Sequence, residues 1–434
     1  MNNDFQTLAC SDHTHLWHPF TQQQEWCSEE PLIIVSGKGV YLQDIHGRDY
    51  IDGNSSIWTN IHGHSHPHII AAIQDQAATL DHSSFLGATH PKAIELAERM
   101  VKLFPGTPLP RVFFSDNGST AIESALKMAF QYWQLIEHPE KSRFVAFSKG
   151  YHGDTVGAAS LGGLSLVSDR FSNIHFPCDL VGSIAELEAL PHLQSIAAIF
   201  IEPLIQGVAG MRLWPAGMLR QLRAFCDRNN ILLILDEVMT GFGRTGTMFA
   251  CQQEQVIPDI LACAKGLTGG TLPLAAIMTK EKIYEAFLGT YGEQKAFCYG
   301  HSYTAHPIGC AAALACLDIF EQENVLGKLP ETIAHLKQSL AELKNFPHIA
   351  DIRQCGLIAG IDVAPDPQSK TPYSWQDRIG GKICKAAMKY GLLTRPLRYT
   401  SGCDTIVFMP PLCITKKQID QSLEALEKGM KEVC

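Results

Sequence analysis

The 434-residue chain has no apolar run long enough to cross a membrane as a helix. It has no basic cluster either: Lys+Arg number 35 against Asp+Glu 44, a net charge of −9, so neither nucleic acid nor an anionic membrane surface is the expected partner. None of the fourteen cysteines forms a C-x-x-C pair. Most lie in apolar stretches (Cys263, Cys310, Cys316) and read as reduced core thiols, not as a disulfide frame or a zinc site. Internal repeats and low-complexity segments are missing. The opening MNNDFQTLACSDHTH lacks a basic segment followed by an apolar one, the pattern of a secretory leader, so a cytoplasmic location is expected. What remains is a globular composition, 46% hydrophobic and 18% charged, on a chain long enough for a large core and two domains.

Between about Arg111 and Lys280, apolar runs alternate with helical patterns. RVFFS precedes STAIESALKMAFQYW, in which Ile122, Leu126, Ala129 and Trp133 share one helix face. FVAFS, AAIFIEP, LRQLRAFCDRNN, ILLILDE and LPLAAIMT follow. This order predicts an α/β fold with a mainly parallel sheet flanked by helices. The ends differ. VSGKGVYLQDIHGRDYIDG reads as short strands with glycine turns, and after about Glu321 helices give way to short strands and a last helix capped by Thr415. The expected organisation is a large domain, residues 61–325, and a small α+β domain built from residues 1–60 and 326–434.

The strongest chemical signal is ILLILDEVMTGFGRTG followed by ACAKGLTGG. Asp236 ends five aliphatic residues, Ile231 to Leu235, and ligands of open α/β sheets sit beyond the carboxyl ends of such strands. Lys265 is flanked by Ala264, Gly266 and Leu267, a setting that lowers an amine's pKa. A carboxylate and a desolvated lysine in one pocket suit pyridoxal phosphate (PLP): the lysine as Schiff-base former, the carboxylate as partner of the pyridine nitrogen. In FFSDNGSTAIESA, Gly118, Ser119 and Thr120 start a helix whose N–H groups suit a phosphate, or form an ordinary capping box on Ser119 with Glu123 close by. FSKGYHGDT puts Tyr151 and His152 after a strand, where an aromatic ring can lie over a cofactor, with Asp154 orienting neighbours or capping a helix. Glu202 brings a second acid to the same sheet edge, to bond the site's other polar groups or to form a loop salt bridge. Gly300, His301 and Ser302 could add phosphate donors. Arg395 is the candidate for a substrate carboxylate, ahead of Arg398. GFGRTG (241–246) matches a dinucleotide-loop pattern weakly, since no helix opening follows. HGHSHPH (His62, His64, His66, His68) reads as a loop and helix lead-in before a metal site, and no metal is expected.

Taken together, DEVMTGFGRTG, AKGLTGG, DNGSTAIESALKMA, YHGDT and GHSYTAHP resemble the class III, fold-type I, PLP-dependent aminotransferases over nearly the whole chain. LWHPFTQ with DGNSSIWTNIHGH narrows the resemblance to the biotin-biosynthesis branch, in which S-adenosylmethionine, or in some members lysine, gives its amino group to 8-amino-7-oxononanoate. The resemblance implies Lys265 as the Schiff-base lysine, Asp236 at the pyridine nitrogen, Tyr151 stacked on the ring, and Gly118 and Ser119 at the phosphate. It implies a homodimer in which Ser302 and the backbone near His301 reach the phosphate from the other subunit. Gly300, Trp58 and Arg395 would face the substrate.

Three positions depart from the adenosylmethionine-using pattern: Phe20 for a tyrosine, Ile57 for the first of two tryptophans, and Val407 for another tyrosine. Two hydroxyls and an indole are thus missing from the donor side, where lost hydrogen bonds alter discrimination. Lysine is therefore the alternative donor. Three rivals to this branch are an ω-aminotransferase acting on a different amine, an aminomutase on the same fold, and a non-catalytic binding protein.

Overall fold

The runs Ile196–Ile201 and Leu232–Asp236 are strands buried along their whole length, as strands covered on both faces must be. The computed structural model describes residues 4–164, 170–368, 371–397 and 404–434. These two strands are the middle of a seven-stranded sheet. In chain order its members are β1 (Arg111–Ser115), β2 (Arg143–Phe147), β3 (Asp179–Val181), β4 (Ile196–Ile201), β5 (Leu232–Asp236), β6 (Ile260–Cys263) and β7 (Ala275–Thr279). Across the sheet they lie in the order β1-β7-β6-β5-β4-β2-β3. All neighbouring pairs from β3 to β6 are parallel, as expected of a mainly parallel sheet.

β7 is the exception. It runs antiparallel to both β6 and β1, whereas LPLAAIMT read as one more step of the alternation. A parallel return needs a crossover of about a dozen residues or more, usually a helix. Residues 264–274 hold only the 3₁₀ turn Lys265–Thr268. The chain therefore stays at the carboxyl edge of the sheet after β6. Asp236, at the end of β5, stands opposite Ala262 of β6, so Lys265 emerges beside it.

The helix Gly118–Leu135 buries Ile122, Leu126, Ala129 and Trp133, the face read from the sequence. The Trp133 indole N–H donates to the carbonyl of Ala197 at 2.8 Å and fixes the helix on β4. At the chain ends, Ile34–Lys38, Tyr41–Asp44 and Asp49–Asp52 form antiparallel strands. Leu392–Leu393 adds to them in parallel, with Leu392 opposite Ile51. A second antiparallel sheet joins Ile349–Cys355, Ile358–Val363, Asp404–Phe408 and Pro396–Leu397. The last helix, Lys416–Val433, is capped by Thr415 with Gln418 closing the box.

One connection is unusual. Ser55, Ser56, Ile57 and Trp58 have φ values of 47°, 48°, 66° and 68°, a left-handed turn made without glycine. Such a conformation costs about 1–2 kcal/mol per residue, so its surroundings must hold it. The histidines just after it are all engaged. His64 bonds Asp52 (2.9 Å), His66 Glu323 (3.2 Å), His68 Asp318 (2.9 Å), and His62 the carbonyl of Cys316 (3.2 Å). Among the described residues no group of three or more metal-capable side chains forms, and no helix is long and apolar enough to cross a membrane.

Candidate active site

The carboxyl ends of β1, β2, β4, β5 and β6 converge on a cavity of about 810 Å³. Gly118 and Ser119, Tyr151 and His152, Glu202, Asp236 and Lys265 all line it, each from the end of its strand or the segment just after it. Five separate sequence signals therefore meet in one place, as the rule for open α/β sheets requires.

Lys265 is only partly exposed, and its amine lies inside the cavity wall. Burial is the main influence on its amine and lowers it to about 8, against the opposing pull of Asp236 and Glu202. Its Nζ lies 4.9 Å from the centre of the Trp58 ring. Asp236 accepts from His152 Nδ1 at 2.7 Å through one oxygen and from the Val238 N–H at 3.0 Å through the other. Burial works to lower the His152 pKa, but the bond to Asp236 outweighs it and the pKa is raised. Glu202 accepts from the N–H of Tyr151 (3.2 Å) and of Gly207 (2.8 Å). Burial pushes its carboxyl up to about 7. It thus does what one reading of the sequence gave it, bonding to polar groups of the site and not a loop salt bridge.

The helix start differs from the capping box on Ser119. The N-cap is Asn117, whose side chain accepts from Thr120 N–H at 3.0 Å, while the Thr120 hydroxyl closes the box. This leaves the N–H groups of Gly118 and Ser119 pointing forward at the positive end of the helix. The crowding is tight. A Cβ on Gly118 would stand 2.7 Å from Val238 Cγ1, and one on Gly153, at φ +125°, would stand 2.2 Å from Ser119 Oγ. Asp154 orients and does not cap: it accepts from the Tyr151 hydroxyl at 2.8 Å, its N–H donates to Ser119 Oγ at 3.2 Å, and the next helix takes Thr155 as N-cap. Gly153→Ala should therefore move Ser119 and Asp154 together and weaken the affinity for PLP about tenfold or more, by equilibrium dialysis. Unchanged affinity would show that the loop tolerates the methyl group.

Phe20, Ile57, Trp58, Arg395 and Val407 line the same cavity. Arg395 and Val407 are tied by the Val407 N–H to the Arg395 carbonyl at 3.2 Å. Trp58 and Val407 share an apolar cluster with Met239 and Met409, and Leu397 packs against it. Gly300 and Ser302 are exposed and do not line the cavity, while His301 pairs with Asp116 on its wall at 3.0 Å. Arg398 lies outside the described residues. In GFGRTG, Arg244 is buried and its guanidinium donates to the carbonyls of Pro410 and Asn60, a packing role and not a dinucleotide loop. Sequence reasoning gave His152 no role and passed over Asn54, whose Oδ1 accepts from the Trp58 indole at 2.9 Å. The first could have been suspected from a histidine next to the ring-stacking candidate. Nothing local marks the second.

A lysine and a buried acid at the end of a mainly parallel sheet, beside a helix N-terminus, define a PLP-type transferase site, and a comparison with known families agrees. The class-III aminotransferase model matches residues 23–430, and the chain belongs to that family. Its relatives include the adenosylmethionine-8-amino-7-oxononanoate aminotransferase of Geobacter sulfurreducens, 44% identical over 99% of this chain and 98% of that protein. The protein of that name from Nitratidesulfovibrio vulgaris is 45% identical over 95% of this chain and 79% of its own length. Among solved structures, the enzyme of that name from Methanocaldococcus jannaschii superposes with a TM-score of 0.94 at 39% identity, covering 99% of this chain and all of that one. A PLP-bound amine transaminase from an uncultivated Pseudomonas species superposes at 0.91 with 33% identity, covering 97% and 99%.

Proposed function

We propose that this chain transfers an amino group from S-adenosylmethionine to the ketone of 8-amino-7-oxononanoate, giving 7,8-diaminononanoate, with PLP as cofactor. The observation that carries the reading is the buried Lys265 amine, lowered to about 8, in one cavity with Asp236 and the helix start at Gly118. These residues fit PLP. The forward N–H groups of Gly118 and Ser119 suit its phosphate, Tyr151 one ring face, Asp236 the pyridine nitrogen and Lys265 the aldehyde. When bound, the cofactor supplies a ring that takes up the charge developing at the donor carbon. Lys265, once free, moves the proton from that carbon as general base and returns it as general acid. Asp236, bonded to His152, would face the pyridine nitrogen and stabilise its protonated form. Arg395 pairs with a substrate carboxylate. Trp58, Ile57, Phe20 and Val407 exclude water around the apolar part of the substrate.

In the same reading two copies assemble as a homodimer. The exposed Gly300 and Ser302 and the backbone at His301 then complete the neighbouring subunit's site.

A depressed lysine pKa has a testable sign. The neutral amine is the reactive form, and it dominates above its pKa. Capture of PLP by cofactor-free protein should therefore rise with pH, with its midpoint at about 8 and a plateau above it. An ordinary lysine would keep rising toward about 10.4. A curve still climbing at pH 9.5 would remove the argument from burial.

One observation favours a second reading, with L-lysine as donor: the wall offers Phe20, Ile57 and Val407, none of which has a hydrogen-bonding side chain. Adding each donor alone to the PLP-loaded protein separates the two. Bleaching of the cofactor absorbance by S-adenosylmethionine alone supports the first, and bleaching by lysine alone replaces it with the second. Bleaching by neither contradicts both.

A further inference from the structure

The left-handed turn at Ser55–Trp58 is closed by Trp58 N–H to Asn54 O (2.8 Å) and Thr59 N–H to Ser55 O (3.0 Å), bonds that a turn of either hand can make. What holds it in this hand is the buried Asp52. One oxygen accepts from Ser56 N–H at 3.0 Å and from Asn54 N–H at 3.3 Å. The other accepts from the Ser56 hydroxyl at 2.8 Å and from His64 Nε2 at 2.9 Å. His64 reaches on to Asn60 at 3.2 Å, and the Asn60 carbonyl accepts from buried Arg244 at 2.7 Å. Burial opposes the Asp52 charge, yet the bonds from His64 and Ser56 hold its carboxyl below the usual range. The turn's far end delivers Trp58, pinned by Asn54, to 4.9 Å from Lys265 Nζ. Strain kept by so many bonds next to a reacting amine calls for a purpose beyond connection.

We propose that Asp52 is a positioning residue for the transfer site: its carboxylate clamps the left-handed turn and so holds the Trp58 indole against the Lys265 side chain. The inference rests on Lys265 being the reacting amine. Without the clamp the turn relaxes toward ordinary backbone and the indole leaves its place.

The test compares PLP-loaded wild type with Asp52→Ala, Asp52→Asn and Ser56→Ala, with Trp58→Phe as reference. Amide exchange across residues 56–59 should speed up about tenfold or more in Asp52→Ala. Its kcat should fall about tenfold or more while KM for the amino donor moves by less than about twofold. The pH midpoint of the cofactor absorbance should shift in the direction seen with Trp58→Phe. Asp52→Asn keeps an oxygen for the Ser56 N–H and should recover most of both effects. Ser56→Ala leaves the carboxylate and its bond to His64 in place, so it reads the clamp even if Asp52→Ala fails to fold, and should give a smaller change of the same sign. Faster exchange with an unmoved absorbance midpoint and kcat would overturn the proposal, as would unchanged exchange in both Asp52→Ala and Ser56→Ala. Failure of the underlying reading looks different: wild type itself would show no cofactor band, or Lys265→Ala would keep PLP covalently bound.

Discussion

Lys265→Ala is expected to lower kcat about 10³-fold or more while leaving a protein that folds and still binds PLP reversibly. Lys265 contributes the one amine among the described residues lining the cavity. Its amine is lowered to about 8, close enough to neutral pH to accept and return a proton, and general acid–base transfer alone is worth about 10²–10⁴. The covalent attachment adds to that. The helix N-terminus at Gly118 and the acid at Asp236 do not depend on the lysine, so reversible binding should persist. Lys265→Arg should not rescue turnover, because a guanidinium does not give up its proton near neutral pH. Steady-state rates with mass-spectrometric detection of product check this, and activity within about tenfold of wild type in Lys265→Ala would refute the assignment.

Asp236→Asn should cost about 10²–10³ in kcat, the usual effect of removing one preorganised electrostatic partner from a dry site. The amide keeps the shape of the carboxylate and can still accept from Val238 N–H, so the fold should survive, which thermal unfolding checks. What it loses is the negative charge. His152 loses the bond that raises its pKa, and a protonated pyridine nitrogen loses its anionic partner. The loss should fall on kcat more than on KM, because the charge it answers develops during the reaction. Equal losses in affinity for PLP and no change in kcat would mean that Asp236 only holds the ring.

The parallel sheet was legible because Ile196–Ile201 and residues 231–235 are continuous apolar runs, as strands covered on both faces carry. The Asp236–Lys265 pair was legible because an acid at the end of such a run and a lysine among small residues are both rare. The reversal of β7 was not, because strand direction follows from the length of residues 264–274 once β6 is placed, and LPLAAIMT has the same pattern either way. Nor was the left-handed turn at Ser55–Trp58. Serine, isoleucine and tryptophan carry no local preference for that backbone, which is imposed by Asp52, His64 and Asn54. The cap lies two residues earlier because Asn117 and Ser119 are both good N-caps and Thr120 completes a reciprocal box with Asn117.

The most direct measurement is a full turnover. Purified PLP-loaded protein is incubated with 8-amino-7-oxononanoate and S-adenosylmethionine, and the diamino acid product is followed by mass. Formation of 7,8-diaminononanoate in wild type, lost in Lys265→Ala, is the result predicted. No conversion of 8-amino-7-oxononanoate with S-adenosylmethionine or with L-lysine, by a protein whose cofactor absorbance still responds to other amines, would contradict the proposed acceptor and make this chain an aminotransferase for a different substrate.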